Sequence, residues 1–223
     1  GLVEKQVAGI QISMSQRIKI KHNTIYDVPR AGINIGDGTW GGHEVAFNDV
    51  FNTVLETSDH GAINCWGRDR LWHPKRATMD TLVARHPKLI GLDAVETSRI
   101  YNNRFRCDNG WDIDLDDGST HNYITNNICL AGGLKIREGF FRRIENNIIL
   151  NNGLYSNVYF NRSGDSFKYN ITSSAYIPFR KNDWGSNFNF NLFPDEAGLS
   201  LARKNSSDPE SGFGDPQFYA AST

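Results

Sequence analysis

Aspartates and apolar residues alternate between positions 112 and 116, in the order Asp-Ile-Asp-Leu-Asp, and Asp117 follows directly. A period of two is typical of a β-strand with one buried face. The carboxylates of Asp112, Asp114 and Asp116 would then share the other face, where like charges repel one another. We therefore expect a cation, neighbouring basic side chains or a shared proton to balance them.

Two carboxyl groups that flank a glycosidic bond, one protonated and one ionised, are the groups that hydrolyse such a bond. Residues two apart on a strand, such as Asp114 and Asp116, have Cα atoms about 6.6–7 Å apart. Their carboxyl groups could lie about 5–9 Å apart, a range that includes both retaining and inverting geometry. Asp59 is an alternative second carboxyl group, although the tripeptide Asp59-His60-Gly61 is also typical of a turn, and His60 could instead bind a sugar hydroxyl.

A short phrase, Asn followed by any residue and then an apolar residue, recurs along the chain. It begins at Asn23, Asn48, Asn103, Asn126, Asn146 and Asn191, and in a variant at Tyr169. A unit of this length predicts one coil of a parallel β-helix, with stacked Asn side chains that bond along its turns. The long interval between Asn48 and Asn103 predicts an insertion.

A second repeat consists of inward-facing apolar pairs: Ile33/Ile35, Ile63/Cys65, Ile113/Leu115, Leu134/Ile136 and Val158/Phe160. The outward residues then form two columns: Asn34, Asn64, Asp114, Lys135 and Tyr159; and Gly36, Trp66, Asp116, Arg137 and Asn161. Strands on successive coils lie about 4.8 Å apart. Lys135 and Arg137 would therefore supply the missing counter-charge one coil away from the aspartates. The two repeats interleave once per coil, and this agreement is the main support for the fold.

These repeats resemble the right-handed parallel β-helix superfamily that includes the pectate lyases, from about Ile10 to Phe193. The segments 58–61 (Ser-Asp-His-Gly) and 114–119 (Asp-Leu-Asp-Asp-Gly-Ser) are similar to bacterial carbohydrate-active members of glycoside-hydrolase type. The resemblance implies substrate on an outward sheet face and a secreted, periplasmic or cell-surface protein. Because this scaffold also carries lyases, epimerases, tailspikes and adhesins, it does not determine the activity.

The predicted fold is all-β, a solenoid of roughly seven coils in a single domain over residues 1–223, with an inserted loop at 67–98. The loop begins next to Trp66 and is rich in aromatic and basic residues, so Arg68 could contact substrate or pair with Asp69. Residues 81–85 predict a short helix within the loop. The alternation at Ile10–Met14 has no cap, which predicts further chain or a partner subunit at that end.

We expect a glycoside hydrolase that acts on a carbohydrate, with Asp114, Asp116 and Asp59 as candidate catalytic carboxyls and no cofactor or metal. Candidate substrate-binding residues are His60, Asn64, Trp66, Arg68, Asp117, Lys135, Arg137 and Tyr159.

A Ca²⁺-dependent polysaccharide lyase is the first alternative, in which the aspartates at 112–117 bind the ion and Lys135 or Arg137 abstracts a proton. A non-enzymatic carbohydrate-binding β-helix is the second. The neutral side chains of Asn34, Asn64 and Trp66 on the same face favour the hydrolase.

Bulk composition argues against other partners. The formal net charge of −1 gives no sign of a nucleic-acid partner, and no apolar run is long enough to span a membrane. Three cysteines, an odd number without metal-ligand spacing, argue against a disulfide framework, and Cys65 is predicted to be a small buried residue.

Overall fold

The computed structural model describes residues 7–36, 39–67, 73, 75–157, 163–177 and 187–218. Over these residues the protein is mostly β, with three long sheets made entirely of parallel strands. Two α-helices and one 3-10 segment complete the regular structure of the described residues. This composition is consistent with a parallel β-helix.

Strands are numbered in chain order. The first sheet consists of β1 (Ile10–Ile12), β4 (Ile33–Ile35), β7 (Gly61–Cys65), β10 (Trp111–Leu115), β13 (Leu134–Ile136) and β16 (Leu154–Ser156). The second consists of β2 (Lys19–Lys21), β5 (Glu44–Ala46), β8 (Ser98–Tyr101), β11 (Asn122–Thr125), β14 (Arg143–Glu145), β17 (Ser166–Lys168) and β19 (Phe188–Asn189). The third consists of β3 (Thr24–Ile25), β6 (Asp49–Phe51), β9 (Arg104–Arg106), β12 (Ile128–Cys129), β15 (Ile148–Ile149), β18 (Ile171–Thr172), β20 (Leu192–Phe193) and β21 (Gly212–Phe213).

The chain visits the three sheets in turn, so that each strand from β4 to β18 pairs with the strand three places before it. One such passage is called a repeat below. The apolar side chains of all three sheets form one continuous buried cluster. Cys65, Cys107 and Cys129 are buried free thiols, as predicted for Cys65.

The register of the first sheet confirms most of the predicted inward stack. Ile33 pairs with Ile63, Ile63 with Ile113 and Ile113 with Leu134. The last step of the prediction was wrong, because Leu134 pairs with Leu154 and Lys135 with Tyr155. Val158 and Phe160, the predicted partners, lie outside the described residues. The dipeptide Gly153-Leu154 matches Gly133-Leu134 and is the sequence signal that gives the correct register.

A ladder of asparagines runs along the boundary between the second and third sheets. The backbone N–H of each member donates to the Oδ1 of the next, at 2.9–3.0 Å, from Asn23 through Asn48, Asn103, Asn127, Asn147 and Asn170 to Asn191. The predicted positions were wrong by one residue at Asn126 and Asn146. Buried amides and peptide groups without partners are costly, so the ladder stabilises every turn it crosses.

The residue before each ladder asparagine has a positive φ, between 54° and 60°: His22, Phe47, Asn102, Asn126, Asn146, Tyr169 and Phe190. Asn adopts this left-handed conformation more readily than most residues. In the Asn-Asn dipeptides the first Asn therefore makes the turn and the second joins the ladder, which explains the error of one residue.

The insertion at 67–98 contains helix α1 (Arg76–Arg85) and the 3-10 segment Pro87–Gly91, so the predicted short helix is the second half of a longer one. Met79, Val83 and Ile90 of the insertion pack with Phe140 in a separate apolar cluster. This contact places the insertion against the turn between β13 of the first sheet and β14 of the second.

Helix α2 (Glu196–Lys204) was not predicted. The Asp195 side chain caps it by accepting from the backbone N–H of Gly198 at 2.8 Å, and Leu199 and Ala202 join the main core. Neither of the described helices combines the length and the apolar character that crossing a membrane requires.

Candidate active site

The outward column of the first sheet is defined by strand register. Gln11, Asn34, Asn64, Asp114, Lys135 and Tyr155 are successive neighbours on β1, β4, β7, β10, β13 and β16. The predicted order from Asn34 to Lys135 is confirmed. Tyr159, the predicted fifth member, lies outside the described residues, and Tyr155 takes that place. Gln11 was missed because the predicted column begins at Asn34, one repeat after Gln11.

Lys135 lies among the three predicted catalytic carboxyl groups. Its Nζ is 2.9 Å from Asp114 Oδ2, 3.6 Å from Asp116 Oδ1 and 3.9 Å from Asp59 Oδ1. Burial disfavours the ammonium charge, but the carboxylates around it outweigh burial and raise the pKa of Lys135. Lys135 is therefore the cation that balances this part of the aspartate cluster.

Arg137 extends the charge network along the second outward column. One terminal nitrogen, Nη1, lies 3.1 Å from Asp116 Oδ1 and 2.8 Å from Asp117 Oδ1, and Nη2 donates to Glu138 Oε1 at 3.3 Å. Asp116 thus pairs with two cations, Lys135 and Arg137. The counter-charges predicted from the alignment are confirmed at both positions.

Asp114 is completely buried, which corrects its expected place on an exposed face. Side chains on the neighbouring strands β7 and β13 flank it. Burial raises the pKa of Asp114 to about 7, Lys135 opposes this shift, and the negative charges of Asp116 and Asp59 add to it. Asp114 is therefore the carboxyl group of this site most suited to hold a proton near neutral pH.

Asp112 does not belong to the same face, contrary to the prediction. It is completely buried, and its carboxylate accepts from the backbone N–H groups of Cys107, Ala131, Gly132 and Gly133 at 2.7–3.1 Å. Burial raises its pKa to about 7, and the four backbone donors oppose that shift. Asp112 joins two turns and has a structural role.

His60 is held between Arg30 and Asp59. Two guanidinium nitrogens of Arg30 lie 3.2 and 2.8 Å from His60 Nε2, and His60 Nδ1 lies 3.6 Å from Asp59 Oδ2. Burial lowers the pKa of His60, and the positive charge of Arg30 lowers it further. The ring is therefore neutral: Nε2 accepts from Arg30, and Nδ1 has no hydrogen-bond partner among the described residues.

The backbone at His60 has φ 98°, a conformation that L-residues rarely adopt. Asp59 Oδ1 accepts from the backbone N–H of His60 at 3.1 Å, so this segment also forms the local side-chain contact of a turn. Strained backbone of this kind is typical of functional sites. The strain places Asp59, whose side chain is 63% exposed, beside Lys135 and Asp116.

An open cavity of about 830 Å³ borders this cluster. Six predicted site residues line it: Asp59, His60, Trp66, Asp116, Asp117 and Arg137. Asn34, Gln11 and Arg30 complete the polar part of the wall. Asp114, Asn64 and Lys135 are buried residues that do not line the cavity. Arg68, predicted to contact substrate, lies outside the described residues.

Three site residues besides Gln11 were missed in the sequence: Arg30, Trp111 and Tyr155. Arg30 occupies the place one repeat before His60, a relation that follows from the pairing of Ile33 with Ile63. Trp111 on β10 stacks on Tyr155 on β16, with ring centroids 5.1 Å apart and planes 8° apart. The Gly153-Leu154 signal would have found Tyr155.

Asp59, Asp114 and Asp116 each place one carboxylate oxygen within 4.8 Å of the others, a spacing at which a cation could be shared. The ammonium group of Lys135 already lies within 4 Å of all three. Comparison of the chain with protein-family models, with curated proteins and with solved structures gave no match.

Proposed function

We propose that the chain is a right-handed parallel β-helix of the pectate-lyase-like type, with roughly seven coils. The cyclic visits to three parallel sheets support a solenoid, and the seven ladder asparagines support the number of coils. Parallel strands joined by crossovers are right-handed in nearly all proteins, which supports the hand.

We further propose that the protein is a glycoside hydrolase. One observation carries this proposal: two carboxyl groups, Asp59 and Asp116, line one wall of an open cavity with oxygens within 4.8 Å of each other. Retaining glycosidases have their two carboxyl groups about 5–5.5 Å apart, whereas inverting ones have about 6.5–9.5 Å. The separation favours a retaining mechanism.

The surroundings of the two carboxyl groups suggest their roles. Asp116 pairs with Lys135 and Arg137, which suits the ionised group that attacks the anomeric carbon and forms a bond with it. Of the described cations, Asp59 has only Lys135 near it, at 3.9 Å, against two closer cations for Asp116, so Asp59 is the member of the pair assigned to protonate the departing glycosidic oxygen. Asp59 then takes a proton from water as the water oxygen attacks the same carbon and Asp116 departs.

The cavity wall favours a neutral sugar. Its two described cations, Arg30 and Arg137, already contact His60 and the acidic side chains of Asp116, Asp117 and Glu138. The indole of Trp66 and the amides of Asn34 and Gln11 provide an apolar face and neutral hydrogen-bonding groups. Such groups suit the faces and hydroxyls of an uncharged carbohydrate.

The Ca²⁺-dependent lyase is the second candidate, favoured by the close carboxylate oxygens of Asp59, Asp114 and Asp116. It requires a base that abstracts a proton, and the candidate bases are Lys135 and Arg137. The carboxylates beside them raise the pKa of both side chains despite burial, which makes each a poorer base.

A panel of neutral and uronic-acid oligosaccharides, incubated with and without EDTA, tests both proposals. The hydrolase predicts new reducing ends from a neutral glycan, with retained anomeric configuration in the first product and no effect of EDTA. Unsaturated uronate products that disappear with EDTA would establish the lyase. Glycan binding without any cleavage would establish a binding protein.

A further inference from the structure

The amide side chains of Asn34 and Asn64 in the outward column point the same way. The Nδ2 of Asn34 donates to Gln11 Oε1 at 2.9 Å, and the Nδ2 of Asn64 donates to Asn34 Oδ1 at 2.8 Å. Each amide nitrogen is thus directed to the preceding repeat, which leaves each amide oxygen directed to the following one. The oxygen of Asn64 is therefore directed to Asp114, its register partner.

Two hydrogen-bond acceptors meet at this point. Asn64 and Asp114 are both completely buried, and neither Asn64 Oδ1 nor Asp114 Oδ1 has a hydrogen-bond donor among the described residues. The other oxygen of Asp114, Oδ2, accepts from Lys135 at 2.9 Å. Burying two such oxygens without a hydrogen between them is costly, and one hydrogen would satisfy both.

We propose that Asp114 carries a proton on Oδ1 and donates it to Asn64 Oδ1, so that the pair holds a neutral carboxylic acid beneath the cavity. Asn64 is then a positioning residue for Asp114 rather than a substrate contact. Oδ2 continues to accept from Lys135.

The charged groups around Asp114 agree with this placement. Lys135 on β13 favours the ionised form of Asp114. Asp116, directly after β10, and Asp59, before β7, favour the neutral form. The Cys65 thiol on β7 is neutral, because burial and Asp114 raise its pKa. Burial is the largest influence and raises the pKa of Asp114 to about 7.

A neutral Asp114 changes the charge seen by the cavity. The positive charge of Lys135 is then balanced by Asp116, the ionised carboxyl group of the proposed pair, which lines the wall. This consequence rests on the proposed hydrolase function, in which Asp116 must be ionised. The proposal that Asp114 carries a proton does not depend on the hydrolase function.

Infrared spectroscopy at pH 6 tests the proton directly, because the C=O stretch of a carboxylic acid is separate from the bands of a carboxylate. The wild-type protein should show an acid band that Asp114→Asn lacks. Asp112 contributes equally to both spectra and cancels in the difference. Identical spectra in the acid region would overturn the proposal and show that the amide column runs in the opposite direction.

Asn64→Val tests the partner. Removal of the acceptor should shift the Asp114 band or abolish it, and an unchanged band would overturn the assignment to Asn64. If Asn64→Val does not fold, amide exchange in Asp114→Asn replaces it. The new side-chain NH₂ should then be protected by its bond to Asn64 Oδ1, and rapid exchange would contradict the proposal. Neither measurement depends on turnover, so both are independent of the hydrolase proposal.

Discussion

Arg30 directs two guanidinium nitrogens at His60 Nε2, at 3.2 and 2.8 Å, and so determines which ring nitrogen of His60 carries the proton. A guanidinium group can only donate, so Nε2 must accept and the hydrogen lies on Nδ1. Nδ1 is directed towards Asp59, whose Oδ2 is 3.6 Å away. Nδ1 makes no hydrogen bond at that distance, so an arginine one repeat away determines only that an N–H group faces a proposed catalytic carboxyl group.

Arg30→Met should lower kcat about tenfold, which corresponds to about 1.4 kcal/mol of lost positioning, with a smaller change in KM. Because Arg30 lowers the pKa of His60, the variant should also gain a titration nearer the usual histidine range in its pH–rate profile. Arg106→Met, at an exposed arginine paired with Asp108, is the matched control. An unchanged profile would show that His60 has no influence on the reaction.

Asp59→Asn and Asp116→Asn should each reduce turnover of a cleaved glycan by several orders of magnitude, because the two carboxyl groups act as a unit. The melting temperature of Asp59→Asn should remain close to that of the parent, whereas Asp116→Asn should lower it, because Asp116 pairs with both Lys135 and Arg137. Asp49→Asn is the control. Asp49 forms an exposed ion pair with Arg104, neither residue lines the cavity, and exposed pairs contribute little to stability. Near-full turnover in both site variants would place the reaction elsewhere.

The stability of the protein should fall as the pH rises from about 4 to about 7. An unfolded aspartate has a pKa of about 3.9, whereas Asp114 and Asp112 have a pKa of about 7 in the folded protein. The folded state holds protons that the unfolded state has released in this window, so deprotonation favours unfolding. The stabilisation is complete below pH 4 and lost above pH 7.

Urea titrations at several pH values measure this effect. Asp114→Asn should remove one contribution, with a slope lower by at most about 1.4 kcal/mol per pH unit, because Asp112 still titrates. Parallel curves for the parent and the variant would mean that Asp114 titrates at its ordinary pKa.

Lys135→Met should destabilise the protein by about 1–3 kcal/mol, because the buried Asp114 Oδ2 loses its hydrogen-bond donor and Asp116 loses one of its two cations. The combination with Asp114→Asn should cost less than the sum of the two single changes, as expected for side chains in contact. Lys19→Met, at a largely exposed lysine, is the control. A loss below about 1 kcal/mol would indicate that solvent already screens the site.

Asn127→Ala should destabilise the protein far more than Asn126→Ala. The side chain of Asn127 donates to Ile100 O, Thr125 O and Asn147 Oδ1 and accepts from Asn103, all in buried surroundings. Each buried group left without a partner costs about 1–3 kcal/mol. Asn126 is exposed, and its loss should cost only about 1–2 kcal/mol for the left-handed backbone. Chemical denaturation of both variants measures the difference, and equal losses would contradict the ladder.

The parts of the fold that were predictable from sequence are those with a period. Ile33, Ile63, Ile113 and Leu134 alternate with polar residues, so their register, and with it the approach of Lys135 to Asp114, could be derived before the structure. The prediction failed at Leu154, where a competing alternation at 156–161 had the same period. It also failed at Asp112, since alternation alone does not reveal that four backbone donors bind a side chain.

Contacts without a period could not be derived. The bond from Arg30 to His60 depends on a positive φ at His60 and on the rotamer of a long side chain. Helix α2 occurs once, so no repeat announces it, although Asp195 and Glu196 are typical of a helix start. The orientation of the amide column depends on which atom of each Asn faces which neighbour, information that residue types do not contain.

The asparagine ladder has a direction and an end. Its last N–H, from Asn191, donates to the Ser211 hydroxyl at 2.8 Å, and that hydroxyl donates to Asp208 Oδ1 at 2.6 Å. Every earlier member needs a further asparagine to receive its N–H, whereas Ser211 needs none. Deletion or duplication of one internal unit would therefore leave every backbone N–H of the ladder with an acceptor. Only loss of the terminal serine would leave the last of these N–H groups, that of Asn191, without one. Gene rearrangement could lengthen or shorten such a chain without redesign, provided that the segment carrying Ser211 and Asp208 is kept.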